Sequence, residues 1–215
     1  MSSRNKRILM LLIGILMLTI FFGIQSKEME SINSSTKEFI TIYLDGFQRY
    51  LFVITFIANL IIAITYIPYL NTMIKVRIKE SVYYYICKKY FVIIILFTVY
   101  ILFCFFIVSV ICNYDNPLYA LNFKIFVKLF MYILSNFVIY TIVYQKSNNV
   151  FLGIAINIAV NFFILIMGIA YQYYITNNTM NENILMTILN VYTLFINMAG
   201  IIYLYITTDK RECLK

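Results

Sequence analysis

Apolar residues in this chain come in long unbroken runs. That pattern belongs to membrane-spanning helices, whereas a half-buried strand alternates and a surface helix repeats every three to four residues. Six runs stand out, at roughly 8–24, 50–70, 91–112, 125–144, 150–172 and 184–206. Each is close to the ~20 residues that a helix needs to cross a hydrocarbon core of ~30 Å. The longest polar intervals, 25–49 and 71–90, are too short for a separate catalytic domain. The pattern predicts an all-α integral membrane protein, a single domain over 1–215 with six transmembrane helices and both termini cytoplasmic.

The first run follows Arg4, Lys6 and Arg7, so a cleaved signal peptide competes with an anchored span. The apolar stretch is longer than a usual signal core, and no A-x-A-like cleavage site follows it. It is read as a retained span.

Composition agrees with the pattern. The chain is 63% hydrophobic and 12% charged, with a mean hydropathy of +0.86, against roughly one-quarter charged residues in soluble domains. So little charge cannot cover so much apolar surface, and the excess must face lipid. There is no histidine and no tryptophan, which removes the commonest general base and metal ligand and leaves tyrosine for the interfacial belt. The cysteines Cys87, Cys104, Cys112 and Cys213 form no C-x-x-C pair and suggest neither a disulfide framework nor a metal site.

The formal charge of +8 does not imply a nucleic-acid partner, because its placement is one-sided. Twelve basic residues fall on the predicted cytoplasmic side: Arg4, Lys6, Arg7, Lys75, Arg77, Lys79, Lys88, Lys89, Lys146, Lys210, Arg211 and Lys215. Five fall on the other, at Lys27, Lys37, Arg49, Lys124 and Lys128. With the acids included, the balance is +9 inside and −1 outside, as the positive-inside rule requires of this topology. Lys128 lies near the outer end of the fourth span and is read as a snorkelling anchor.

Three kinds of segment are candidates for function. The loop 71–82 holds Lys75, Arg77 and Lys79, alternating with Ile74, Val76 and Ile78. The alternation is strand-like, but an isolated strand has no partner edge, so an interfacial helix is expected, with Ile74, Ile78 and Val82 on its buried stripe. It either docks into a soluble partner or only fixes orientation and meets anionic lipid. Over 36–44, the box Ser35-Thr36-Lys37-Glu38 followed by Phe39, Ile40, Ile42 and Tyr43 predicts a short amphipathic helix on the outer surface. Within the spans, Asn157 and Asn161 are four residues apart and Asn190 and Asn197 seven, so each pair shares a helix face expected to point into the bundle. These faces serve either as interhelical glue or as a polar track for substrate.

No G-x-x-x-x-G-K-[ST] motif occurs, so any ATP would be bound, with Mg, by a separate subunit. The assigned spans carry no acidic residue, which argues against an ion-coupled carrier. No catalytic set is visible, and the chain itself is read as neither an enzyme nor a cofactor-binding protein.

Six spans, a long first outer loop and a basic segment after the second span together resemble the small membrane subunits of type-two export ABC transporters. Within that class the chain looks like the Firmicute permeases tied to bacteriocin, lantibiotic or other peptide export and immunity. The local carrier of the resemblance is 67–81, IPYLNTMIKVRIKES, which corresponds to the coupling helix that the ATPase receives. The resemblance implies that Lys75, Arg77, Lys79 and Glu80 face that subunit, with Ile74 and Ile78 as the apolar positions of the segment. It also implies a homo- or heterodimer of membrane subunits on two ATPases in the bacterial cell membrane, moving an amphipathic peptide or lipid-like substrate outward. The chain departs from the family in lacking a clean amphipathic period there. Two other readings stand beside it: a substrate-binding membrane subunit of a vitamin importer, and a non-transporting immunity or scaffold protein.

Overall fold

The computed structural model describes residues 3–29, 36–37, 39–40, 53–65, 82–147, 149–175 and 182–212. These residues are helical throughout apart from short connections, and contain no strand. The long helices are α1 (Ser3–Met29), α2 (Thr55–Thr65), α3 (Val82–Ile111), α4 (Phe123–Ser147), α5 (Val150–Ile175) and α6 (Glu182–Glu212). Four stretches are long and apolar enough to cross a membrane: Cys87–Ile111, Phe123–Ser147, Val150–Tyr171 and Leu185–Thr207. The protein is therefore a helical membrane protein. The described part of α2 has 11 residues, a rise of about 16 Å, short of a full crossing.

Local chemistry sets the helix ends. Between α3 and α4 the chain reverses through Asn113 and Asn116, both at positive φ (52° and 53°), a conformation asparagine tolerates better than most residues. Pro117 then opens the 3-10 turn Pro117–Leu121. Asn122 Oδ1 accepts the Lys124 N–H at 2.9 Å, capping α4. Asn149 does the same for α5, accepting from the N–H groups of Phe151 and Leu152.

Buried polar side chains are concentrated on the helix at the centre of the bundle. α4 is the helix the others share, with α2, α3, α5 and α6 all packed on it, and its most apolar window is 61% buried. It carries Ser135, Asn136, Thr141 and Gln145, all buried, and these need partners that lipid cannot supply. α5 is more uniformly apolar, and only 17% of its window is buried. Its Ala155 and Ala159, a small-x-x-x-small pair, both lie on the exposed side.

Close approach is bought with glycine at three contacts, one of them Gly153 of α5 against the Tyr140 ring of α4. A Cβ on Gly200 of α6 would collide with Val138 of α4, and one on Gly23 of α1 would collide with Val108 of α3. The α1–α3 contact is also tied by two tyrosines that donate to helix carbonyls, Tyr100 to Leu12 at 2.6 Å and Tyr114 to Gly23 at 2.8 Å. Phe39 and Ile40 from the segment 36–44 are buried in the bundle, Phe39 stacking on Tyr114 and meeting Phe105 edge-on. The described part of that segment thus packs into protein instead of lying on a lipid surface. Ser35, Glu38 and 41–44 lie outside the described residues.

Candidate functional site

Three helices each carry a polar pair at a spacing of four. These are Thr55 and Asn59 on α2, Tyr132 and Asn136 on α4, and Asn157 and Asn161 on α5. Four residues complete slightly more than one helical turn, so both members of a pair share a face. In every pair the downstream asparagine donates its amide to the backbone carbonyl of the upstream residue. The contacts are Asn59 to Thr55 at 2.8 Å, Asn136 to Tyr132 at 2.9 Å and Asn161 to Asn157 at 2.7 Å. This local bond holds each amide so that its oxygen remains free to accept from a neighbouring helix.

The three faces meet. Asn157 Nδ2 donates to Asn59 Oδ1 at 2.9 Å and to Asn136 Oδ1 at 3.0 Å, joining all three helices through one amide. Asn161 Nδ2 adds bonds to Asn136 Oδ1 and Asn157 Oδ1, both at 3.2 Å. On the other side, Thr55 Oγ1 and Tyr132 Oη share a bond of 2.7 Å, and Tyr132 Oη donates to Asn161 Oδ1 at 3.1 Å. Since the phenol proton goes to Asn161, the threonine hydroxyl is the donor to Tyr132. All six side chains are buried, Tyr132, Asn136 and Asn157 completely.

The junction is neutral. Its amides and hydroxyls carry no charge, and among the described residues no Asp, Glu, Lys or Arg side chain is buried. It offers no nucleophile with an adjacent base. Among the described residues no group of three or more His, Cys, Asp or Glu is placed to hold a metal ion. What it does supply is a directional lock, because each asparagine donates and accepts and a slip along any helix breaks several bonds at once.

Of the sequence-derived candidates, Asn157 and Asn161 lie at the centre of this junction. Asn197 is buried on α6 and donates to the Met131 carbonyl at 2.9 Å. Asn190 is exposed, although it is seven residues from Asn197. Seven residues fall about 20° short of two helical turns, and the buried stripe of α6 runs through Leu189, Thr193, Asn197 and Leu204. Asn197 sits at the edge of that stripe, and Asn190 lies just past it. Lys128 is half-buried in the second turn of α4. The coupling positions Ile74, Lys75, Arg77, Ile78, Lys79 and Glu80 lie outside the described residues.

Sequence reasoning missed Thr55, Asn59, Tyr132 and Asn136. A signal was present: Asn59 and Asn136 are the only asparagines in the second and fourth apolar runs, and each has a hydroxyl-bearing residue four positions earlier. No family model, curated protein or solved structure matches the chain.

Proposed function

We propose that this chain is the membrane subunit of an ATP-driven exporter, moving an amphipathic peptide or lipid-like molecule out of the cell or the membrane. In this reading it has six spans, both termini on the cytoplasmic side of a bacterial cell membrane, and a second membrane subunit as partner. The observation that carries it is the neutral interior. A carrier driven by protons or sodium ions works by titrating or pairing a charge within its bundle, and among the described residues the buried polar set consists of amides and hydroxyls. Work must then be delivered from outside the membrane. The basic segment 71–82, on the side that holds +9 of the charge, is the surface for it. ATP and Mg would be bound by the separate subunit docked there.

Reversing Lys75, Arg77 and Lys79 to glutamate tests the reading. A co-purifying ATPase should be released while membrane insertion and thermal stability stay unchanged. An unchanged pull-down, or no ATPase in the parent preparation, would remove the coupling role.

A second reading, a non-transporting immunity or scaffold protein, is favoured by the junction itself, whose mutual bonds fasten α2, α4 and α5 into one unit. Protection against an antimicrobial peptide that survives deletion of the neighbouring ATPase would select it.

A further inference from the structure

An open groove of about 380 Å³ runs between α1 and α2, within the range of roughly 300–1,000 Å³ typical of small-ligand sites. On α1 it extends from Arg7 through Met10 and Gly14 to Leu18, and on α2 its wall includes Phe56 and Leu60. Among the described residues Arg7 is the one charged lining residue, at one end, and every other lining side chain is apolar or absent. The span from Arg7 to Leu18 corresponds to a rise of about 16 Å, close to half of a ~30 Å hydrocarbon core. The groove therefore has the length of one leaflet, with a cation at its headgroup end.

Gly14 makes the point sharper. A Cβ there would meet nothing within 4 Å, in contrast to Gly23 and Gly200, where it would strike a neighbouring helix. Glycine in a helix interior is unfavourable relative to alanine, and helix packing does not require it at position 14. What it leaves is space on the groove floor.

We infer that this groove is a binding site for an anionic phospholipid, with one acyl chain laid over Gly14 and the phosphate held by the Arg7 guanidinium. Arginine presents donors in a fork that fits phosphate oxygens, and the exposed Lys6 beside it adds a second positive charge. A zwitterionic lipid would fill the same apolar trough but gain far less at its end. The inference needs α1 and α2 in the bilayer and does not depend on coupling to an ATPase.

The chain contains no tryptophan, so Phe56→Trp places a single reporter on the groove wall. The full chain with this substitution is reconstituted in phosphatidylcholine bilayers and titrated with acyl-brominated phosphatidylglycerol or acyl-brominated phosphatidylcholine. The anionic lipid should quench at about fivefold lower mole fraction, the factor one basic contact near a membrane surface supplies. Adding Arg7→Gln should erase that preference, and Gly14→Phe should weaken quenching by both lipids. Leu96→Trp, on the exposed side of α3, should be quenched equally by the two. Equal quenching at Phe56→Trp, or a preference that survives Arg7→Gln, overturns the inference. So does the absence of quenching by either lipid, which would mean that a protein segment or a second copy fills the groove. Leu60→Trp repeats the measurement if Phe56→Trp does not fold. The titration should be unaffected by charge reversal in 71–82, so failure of the exporter reading and failure of the lipid site are separate results.

Discussion

Asn136 is the side chain with most to lose. Its oxygen accepts from both Asn157 and Asn161 while its amide donates to the Tyr132 carbonyl. Interhelical hydrogen bonds in membranes average about 0.6 kcal/mol, because the alternatives in lipid also find partners. The two of these bonds that run between helices put Asn136→Leu at about 1 kcal/mol less stable than the parent. Asn190→Leu, at an exposed position, should stay within about 0.5 kcal/mol. Reversible unfolding in mixed micelles measures the pair, and equal stabilities for the two variants would show that the junction contributes nothing net. At this scale the sequence was half legible. An asparagine in an apolar run announces that it needs a partner, which marks Asn157 and Asn161. It does not name the partner, because the partners lie 21 to 98 positions away in sequence.

At the scale of elements, the contacts between helices depend on where small residues sit. Gly200 lets α6 approach Val138 of α4, so Gly200→Leu should separate these helices and cost about 1–3 kcal/mol by overpacking. Gly14→Leu adds the same side chain over open space and should leave stability unchanged or slightly raised. The two glycines look alike in sequence, since each sits in an apolar run with no local feature to tell them apart. The ties from Tyr100 and Tyr114 to α1 behave similarly. Tyr114→Phe should remove one bond to the Gly23 carbonyl, worth about 0.5–1.5 kcal/mol, and loosen the α1–α3 contact first. Greater hydrogen–deuterium exchange in α1 than in α5 would register that. Helix existence, by contrast, was readable throughout: the runs 91–112, 125–144, 150–172 and 184–206 coincide within a few residues with the four long apolar stretches observed, since length and composition alone decide whether a segment partitions into lipid.

For the whole molecule, orientation is the open physical variable, and the charge asymmetry makes it testable. In a background with the native cysteines replaced, a cysteine at position 79 should be labelled from the cytoplasmic side and one at position 38 from outside. The reverse pattern would overturn the proposed topology. What the sequence by itself determined is the solvent: with 63% hydrophobic residues in long runs and only 12% charged, the transfer of apolar side chains into lipid is decided segment by segment and needs no knowledge of neighbours. What only the tertiary structure decided is the arrangement inside that solvent. Lipid gives apolar faces little reason to prefer one neighbour over another, so the ordering falls to the few groups that lipid cannot satisfy. Three i, i+4 polar pairs on α2, α4 and α5 find one another, the helix carrying the most buried polar side chains becomes the shared centre, and the groove beside Gly14 remains as surface that no described helix covers. Each of these outcomes depends on bonds and voids between distant segments, and those exist only once the helices have met.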